Sequence, residues 1–199
     1  MGKIVISANA TLDGMIEDPD GEEGFARGGW FHQFVGGEDL EAWVARETEE
    51  ALGAKALLLG ARSSEWLASR MLLRGDADVR VSPAWAERVK SLPKYIVAST
   101  LRDPRWGNAT ILGGDIVKAI MELKLKLDGE ILVYGSYHLL RTLIERDLAD
   151  ELRLMVFPVV LGAGARLFGE TSRRKPMRLI ETRRIGAGLV FHAYEFTRA

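Results

Sequence analysis

Cysteine is absent from all 199 residues, which excludes disulfides, zinc held by thiolates and a thiol nucleophile, and suits a reducing cytoplasm. Long apolar runs are absent as well. None approaches the roughly 20 residues that a membrane-spanning helix needs, and the strand-like opening Lys3-Ile4-Val5-Ile6-Ser7 lacks the features of a secretory signal. Neither sign of charge is in surplus: 27 basic residues face 28 acidic ones, a formal net charge of -1. No long-range field therefore draws the chain to nucleic acid or to an anionic membrane, and any anion site has to be local. The histidines, His32, His138 and His192, are far apart and without paired-ligand spacing, so no metal site is expected. Arg173-Arg174-Lys175 with Arg178, Arg183 and Arg184 is interspersed with acidic neighbours and reads as a solvated surface rather than a nucleic-acid face. What is present is apolar: 47% of the chain is hydrophobic, enough for one domain over residues 1–199 with a substantial core. The expectation is a cytoplasmic protein whose partner is a small molecule.

The richest segment is Ile131-Leu132-Val133-Tyr134-Gly135-Ser136-Tyr137-His138-Leu139-Leu140, a buried-type strand that stops at Gly-Ser and turns straight into a helix. Such a junction suits a phosphate. Gly135 lets the backbone come close to a ligand, while Ser136 and the first-turn amides of the helix offer donors and the positive end of the dipole. One Gly after a strand marks a turn more often than a site, but here the arrangement recurs. Ala56-Leu57-Leu58-Leu59-Gly60 continues as Ala61-Arg62-Ser63-Ser64-Glu65, where a serine is available to cap a helix and Arg62 brings a positive charge. Tyr95-Ile96-Val97-Ala98 ends in Ser99-Thr100, and Thr110-Ile111-Leu112 ends in Gly113-Gly114-Asp115 before another helical pattern. Right-handed crossovers make such strands parallel, and ligands of α/β sheets bind outside their carboxyl ends. Four such junctions on one rim suit an extended multi-phosphate ligand such as a dinucleotide.

The first strand, about Lys3 to Ala10, runs into Thr11-Leu12-Asp13-Gly14, followed by a Gly-rich acidic segment to about Gly37. A loop beyond about 12 to 15 residues is usually functional. This one carries Phe25, Trp30, Phe31 and Phe34, and the reading is a lid or pocket wall. A helix is expected over Asp39 to Leu52, then a strand to Gly60, a helix through Trp66, a loop holding Arg74 to Asp78 and a helix opened by Pro83. Strands ending at Ala98 and Leu112, a helix to Leu127, the strand at Ile131 and a helix to about Arg146 complete a βα series. After Asp150 the pattern changes to strands at 151–157, 177–181 and 189–196, the last two a hairpin turning at 185–188. The sheet is therefore expected to be mixed. Asp150-Glu151 reads as local hydrogen bonding at the start of a strand, and Pro158 to Gly164 as an irregular crossing.

Taken in order, Leu12-Asp13-Gly14, Gly60-Ala61-Arg62-Ser63, Gly135-Ser136 with Leu139 and Leu140, Leu148-Ala149-Asp150-Glu151-Leu152 and Pro158 to Phe168 resemble the dihydrofolate reductase-like superfamily. The nearer resemblance is to the branch of the C-terminal reductase domain of the bifunctional riboflavin-biosynthesis deaminase/reductase. It implies a three-layer α/β/α fold with a mixed, mainly parallel sheet and a C-terminal antiparallel hairpin. It further implies NADPH binding, hydride transfer to a small heterocycle of pterin, pyrimidine or flavin-precursor type, and a homodimer. By that resemblance Ala10 lies near the nicotinamide, Gly60, Arg62 and Ser63 meet the adenosine-side phosphates, and Ser99 and Thr100 hold the ribose 2′-phosphate. Gly113 belongs to the same cofactor rim, Gly135, Ser136 and Tyr137 line the pyrophosphate, and Asn9, Asp13 and Trp30 contact substrate. Two departures stand out: Ala61 and Ser63 replace the Arg and Thr of the family's Gly-Arg-x-Thr, and Ser64 replaces a usual aromatic residue.

Hydride transfer leaves position and electrostatics to the protein. Asp13 is the candidate catalytic residue, holding a substrate NH or OH or relaying a proton, on the expectation that an apolar pocket raises its pKa. Asp-Gly is equally a common turn pair. Trp30 is the candidate for substrate stacking, while Trp43, Trp66 and Trp85 fall on helical patterns and are expected in the core or at an interface. The alternative is a non-catalytic nucleotide-binding or dimeric scaffold protein that keeps the fold without turnover.

Overall fold

A strand forms wherever the apolar runs of the βα series were short and bounded by Gly or a polar pair. In the computed structural model, which describes residues 1–73 and 82–197, eight strands join in the hydrogen-bonded order β4-β3-β2-β5-β1-β6-β8-β7. They are β1 (Lys3–Thr11), β2 (Ala54–Gly60), β3 (Lys94–Val97), β4 (Ala109–Leu112), β5 (Glu130–Tyr134), β6 (Glu151–Phe157), β7 (Met177–Ile185) and β8 (Leu189–Phe196). The helices are α1 (Trp30–Gln33), α2 (Gly37–Gly53), α3 (Ala61–Ala68), α4 (Pro83–Ser91), α5 (Ile116–Lys126) and α6 (Tyr137–Glu145). A π-helical turn over Ser69–Leu73 prolongs α3. The expected loop at Arg74 to Asp78 lies outside the described residues.

The chain divides into two compact units, Met1–Ile6 with Val44–Asp150, and Ser7–Trp43 with Glu151–Ala199. In the first, β2 pairs in parallel with β3 and β5, and β3 in parallel with β4. Val5, Leu57, Leu59, Ile96 and Leu132 point into one buried cluster with Leu67, Trp85, Val89 and Trp106 from the flanking segments. Burial of such aliphatic side chains is worth about 1.5–3 kcal/mol each. Two helices begin with a side-chain cap: Ser82 accepts from the Trp85 amide and Asp115 from the Lys118 amide. Asp150 is hydrogen-bonded as expected but to distant segments, accepting from the Ile4 amide (2.8 Å) and from buried Lys124 (2.5 Å).

The second unit is antiparallel, with β6 and β7 on either side of β8. Alternation along β8 buries Leu189, Phe191 and Ala193 against Met155, Phe157, Trp30 and Phe31. Asp39 ties α2 to the hairpin turn, its carboxylate accepting from the amides of Ala187 and Gly188. On the exposed arms of the hairpin, Arg178 pairs with Glu195 and Arg183 with Glu181. Among the described residues no helix is long and apolar enough to cross a membrane.

Candidate functional site

In the first unit the parallel pairing brings the carboxyl ends of β4, β3, β2 and β5 to one rim. Two of its junctions interlock. Gly135 (φ +59°) and Ser136 (φ +57°) both lie in the left-handed region, which glycine enters freely and serine does not. Ser136 is held there by its own hydroxyl, which accepts from the Gly60 amide at 3.1 Å and shares a hydrogen with the Ser63 hydroxyl at 2.6 Å. A Cβ on Gly60 would fall 2.4 Å from that Ser136 oxygen, so any other residue there has to displace the Ser136 hydroxyl from the joint.

This corrects two details of the sequence reading. The Ser136 hydroxyl is turned into the joint between β2 and α6, and Ser63 bonds to Ser136 instead of capping α3. Gly60 and Ser136 are themselves the N-cap residues of α3 and α6, and neither helix start receives a side-chain cap. The donors left for an anion are therefore the first-turn amides of α3 and α6, which meet no such acceptor as Ser82 and Asp115 provide for α4 and α5. Small residues, two such helix starts and exposed Arg62 fit the phosphates of a dinucleotide. Further along the rim, Ser99 and Thr100 are exposed beyond β3 and Gly113 beyond β4, the two ends joined by the Ala98 amide donating to Leu112 O. Tyr137 stacks beside His138 (4.1 Å) with the Arg141 guanidinium 5.7 Å from its ring.

The remaining expected residues lie in the second unit. Asp13 is half-buried and accepts three hydrogen bonds: from the Thr11 hydroxyl (2.6 Å), the Leu161 amide (3.2 Å) and the Gly162 amide (2.7 Å). The Thr11 hydroxyl, followed by these amides, lowers the Asp13 pKa to about 2 against the opposing effect of burial. The expected raised pKa is thus reversed, and at neutral pH Asp13 is a carboxylate that cannot donate a proton. It instead fastens the Pro158 to Gly164 crossing to the end of β1, alongside the bond from the Leu12 amide to Val159 O. Trp30 is corrected too. It is only 1% exposed, its ring meets Phe157 edge-on at 5.1 Å, and its indole N–H donates to Glu17 O, which leaves no face for a substrate. Ala10 is buried and presents little beyond its backbone, while the half-buried Asn9 accepts from the Trp43 indole at 3.1 Å.

The long loop is ordered around Asp18, whose carboxylate accepts from the amides of Glu23 and Phe25. Glu17 extends the same stitching to the Ala165 amide at 2.7 Å. The first unit thus carries a parallel rim with two uncapped helix starts, and the second an antiparallel hairpin. The sequence model of the RibD C-terminal domain family matches residues 2–191. The chain belongs to that family. The Bacillus subtilis (strain 168) protein YyaP, itself uncharacterized, is 26% identical over 194 residues, 98% of this chain and 95% of its own. Among solved structures, a Shewanella sp. PV-4 protein described as a riboflavin biosynthesis protein aligns with a TM-score of 0.72 at 22% identity, covering 98% of this chain and 99% of that one. Enterococcus faecalis dihydrofolate reductase, complexed with NADP(H) and RAB-propyl, aligns with a TM-score of 0.51 at 11% identity, covering 98% and 97%. At these identities the structural likeness is one of fold, and that fold is dihydrofolate reductase-like.

One feature of this RibD C-terminal domain escapes a reading of junctions. Glu47 sits in the apolar stripe of α2 with Val44 and Ala51, and it is only 9% exposed. Its place three residues after Val44 and four before Ala51 is the one signal in the sequence, an acid standing where a hydrophobe belongs. Ser64, at the position where the family usually has an aromatic residue, is buried, and its carbonyl accepts from the Trp106 indole at 3.3 Å. Among the described residues no group of three or more His, Asp or Glu could hold a metal ion.

Proposed function

We propose that this RibD C-terminal domain is an NADPH-dependent reductase that transfers a hydride to a small heterocycle of pterin, pyrimidine or flavin-precursor type, working in the cytoplasm as a homodimer. The observation that carries the reading is the interlocked pair of junctions at Gly60–Ser63 and Gly135–Ser136, from which two helices start with no side-chain acceptor for their amides. A diphosphate supplies the missing acceptors. Ser99, Thr100 and Arg62 supply hydroxyls and positive charge toward a ribose 2′-phosphate. The bound dinucleotide brings the transferable hydride, and the chain's own residues hold it in place. The reductase-like fold of the family and the NADP(H) complexed with the Enterococcus faecalis enzyme support the same cofactor. Asn9 and the backbone at Ala10 remain the substrate-side and nicotinamide-side candidates. The homodimer rests on the family resemblance alone.

One observation favours a second reading, a nucleotide-binding protein without turnover. Asp13 is committed to three internal hydrogen bonds with a pKa near 2, and Trp30 is committed to the core, so neither serves as proton donor or stacking platform. The two readings separate in one experiment. Titration of the purified protein with NADPH and with NADH, followed by tryptophan quenching, is expected to give saturable binding with NADPH preferred. Oxidation of bound NADPH by a pterin, pyrimidine or flavin then selects the reductase. Binding without oxidation selects the scaffold, and no binding of either cofactor overturns both.

A further inference from the structure

Near the carboxyl end of β1 one side chain has its orientation set by a neighbour that can only donate. Asn9 is half-buried there, and its Oδ1 accepts from the Trp43 indole of α2 at 3.1 Å. The atom facing an indole N–H has to be the carboxamide oxygen, because the reverse orientation sets N–H against N–H. The amide nitrogen is therefore turned away from Trp43. Among the described residues nothing accepts from its two N–H groups, and the nitrogen is not sealed from water.

Asn9 and Trp43 both belong to the second unit, and the indole is itself anchored. Phe31, 3% exposed, meets its ring edge-on at 4.8 Å, and Trp43 packs against the cluster that holds Trp30, Phe157 and Phe191. It nevertheless remains half-buried, so part of the ring stays accessible. Trp30, the residue expected from sequence to stack on a substrate, is sealed in the core, whereas Trp43 keeps ring surface beside a free pair of amide donors.

That pairing defines a ligand chemistry. A flat ring lies against an indole, and an acceptor on the ring's edge takes the amide N–H groups. A ring carbonyl is such an acceptor. An exocyclic amino group at the same place opposes donor to donor and leaves both sides unsatisfied.

We propose that Trp43 is a positioning residue that turns the Asn9 carboxamide outward as a donor, and that the pair selects heterocycles presenting a ring carbonyl over those presenting an amino group. This rests on the reading of Asn9 as the substrate-side residue and narrows the substrate to a keto-type ring. It does not depend on hydride transfer.

The probes are pteridine-2,4-dione and 2,4-diaminopteridine, matched rings that exchange carbonyl for amino groups, titrated calorimetrically into the full chain with and without NADPH. The native protein is expected to bind the dione at least about tenfold more tightly, the discrimination of a satisfied against an opposed hydrogen bond. Asn9→Asp keeps an acceptor for the indole and replaces the outward donors with a carboxylate oxygen, so the order of the two probes should reverse. Trp43→Phe keeps a ring but removes the N–H, which frees the carboxamide to turn either way. The preference should then collapse while both probes still bind. In the ¹⁵N spectrum of the native chain the Asn9 side-chain amide pair, identified by its loss in Asn9→Asp, should shift when the dione is added.

A native protein that binds neither probe, or binds both alike, overturns the proposal. So do an unreversed order in Asn9→Asp and an Asn9 amide pair that stays still. A Trp43 with a merely structural role would weaken both probes equally in Trp43→Phe and leave their ratio intact, which also overturns it; should that variant fail to fold, the native ratio and Asn9→Asp still decide. The reductase reading fails separately, when NADPH goes unoxidised. NADPH oxidation without a carbonyl preference sinks this specificity alone.

Discussion

Two places in this protein tie distant segments together at the end of a strand, and they do it with opposite chemistry. In the first unit the tie is neutral: Ser136 locks Gly60 and Ser63, and the first-turn amides of α3 and α6 are left without a side-chain cap. In the second unit the tie is charged: the Asp13 carboxylate gathers the Thr11 hydroxyl and the amides of Leu161 and Gly162 onto itself. A charged acceptor satisfies the donors around it and so closes the place where it sits. A hydroxyl pair fixes the backbone while leaving the strongest local field, that of the helix starts, for something else. The difference separates the junction proposed to receive an anion from one whose carboxylate is committed to donors of the chain itself.

The comparison is broken most severely at Gly135. A β-branched residue at φ +59° costs about 1–2 kcal/mol in backbone conformation alone, and its Cβ would also crowd the Ser63 hydroxyl at 3.3 Å. Gly135→Val is expected to abolish measurable NADPH binding while the protein still unfolds cooperatively by circular dichroism. Next comes Ser99→Glu, in the exposed segment that follows β3. The introduced charge should weaken NADPH by roughly tenfold, about 1.4 kcal/mol, and NADH much less, in parallel fluorescence titrations, with the gap closing as salt is raised. Equal losses for both would remove Ser99 from the 2′-phosphate site.

The smallest effect sharpens the charged tie. Asp13 has its pKa lowered from 3.8 to about 2, so its contribution to stability is full above the unfolded value and is lost as pH falls through about 2. Asp13→Asn keeps one acceptor oxygen and loses the charge. It should lower stability at pH 7 by about 1 kcal/mol, roughly 2–4 °C in Tm, and flatten the acid limb of the stability curve between pH 4 and 2. NADPH affinity should stay as in the native protein. A large change in that affinity would show that Asp13 belongs to the cofactor site after all.

How far the site was legible depends on the range over which each residue finds its partners. The run from Ile131 to Leu140 announces strand, sharp turn and helix because those choices are local: apolar period, a glycine, then helical spacing. The same holds for the ends at Gly60, Ala98 and Leu112. The aromatic residues of the long loop were legible only as aromatic. Trp30 became a core residue because Phe157 and Phe191 of the hairpin sheet arrive beside it from far along the chain. The sign of the Asp13 shift was out of reach for a similar reason, since two of its three donors lie 148 and 149 residues away. Glu47 shows the limit of periodicity: its place in the stripe of α2 hints at burial and says nothing of the Tyr134 hydroxyl that donates to its main-chain oxygen.

By itself, then, the chain determined its strands, its helices, the glycines at their junctions and the parallel series that ranks those junctions on one rim, because each is set by neighbours within a few residues. Only the tertiary structure decided which polar atoms were consumed and which were left over. A hydroxyl, a carboxylate or an indole has no fixed role until burial removes water and supplies a partner, and those partners come from segments the backbone brings together only on folding.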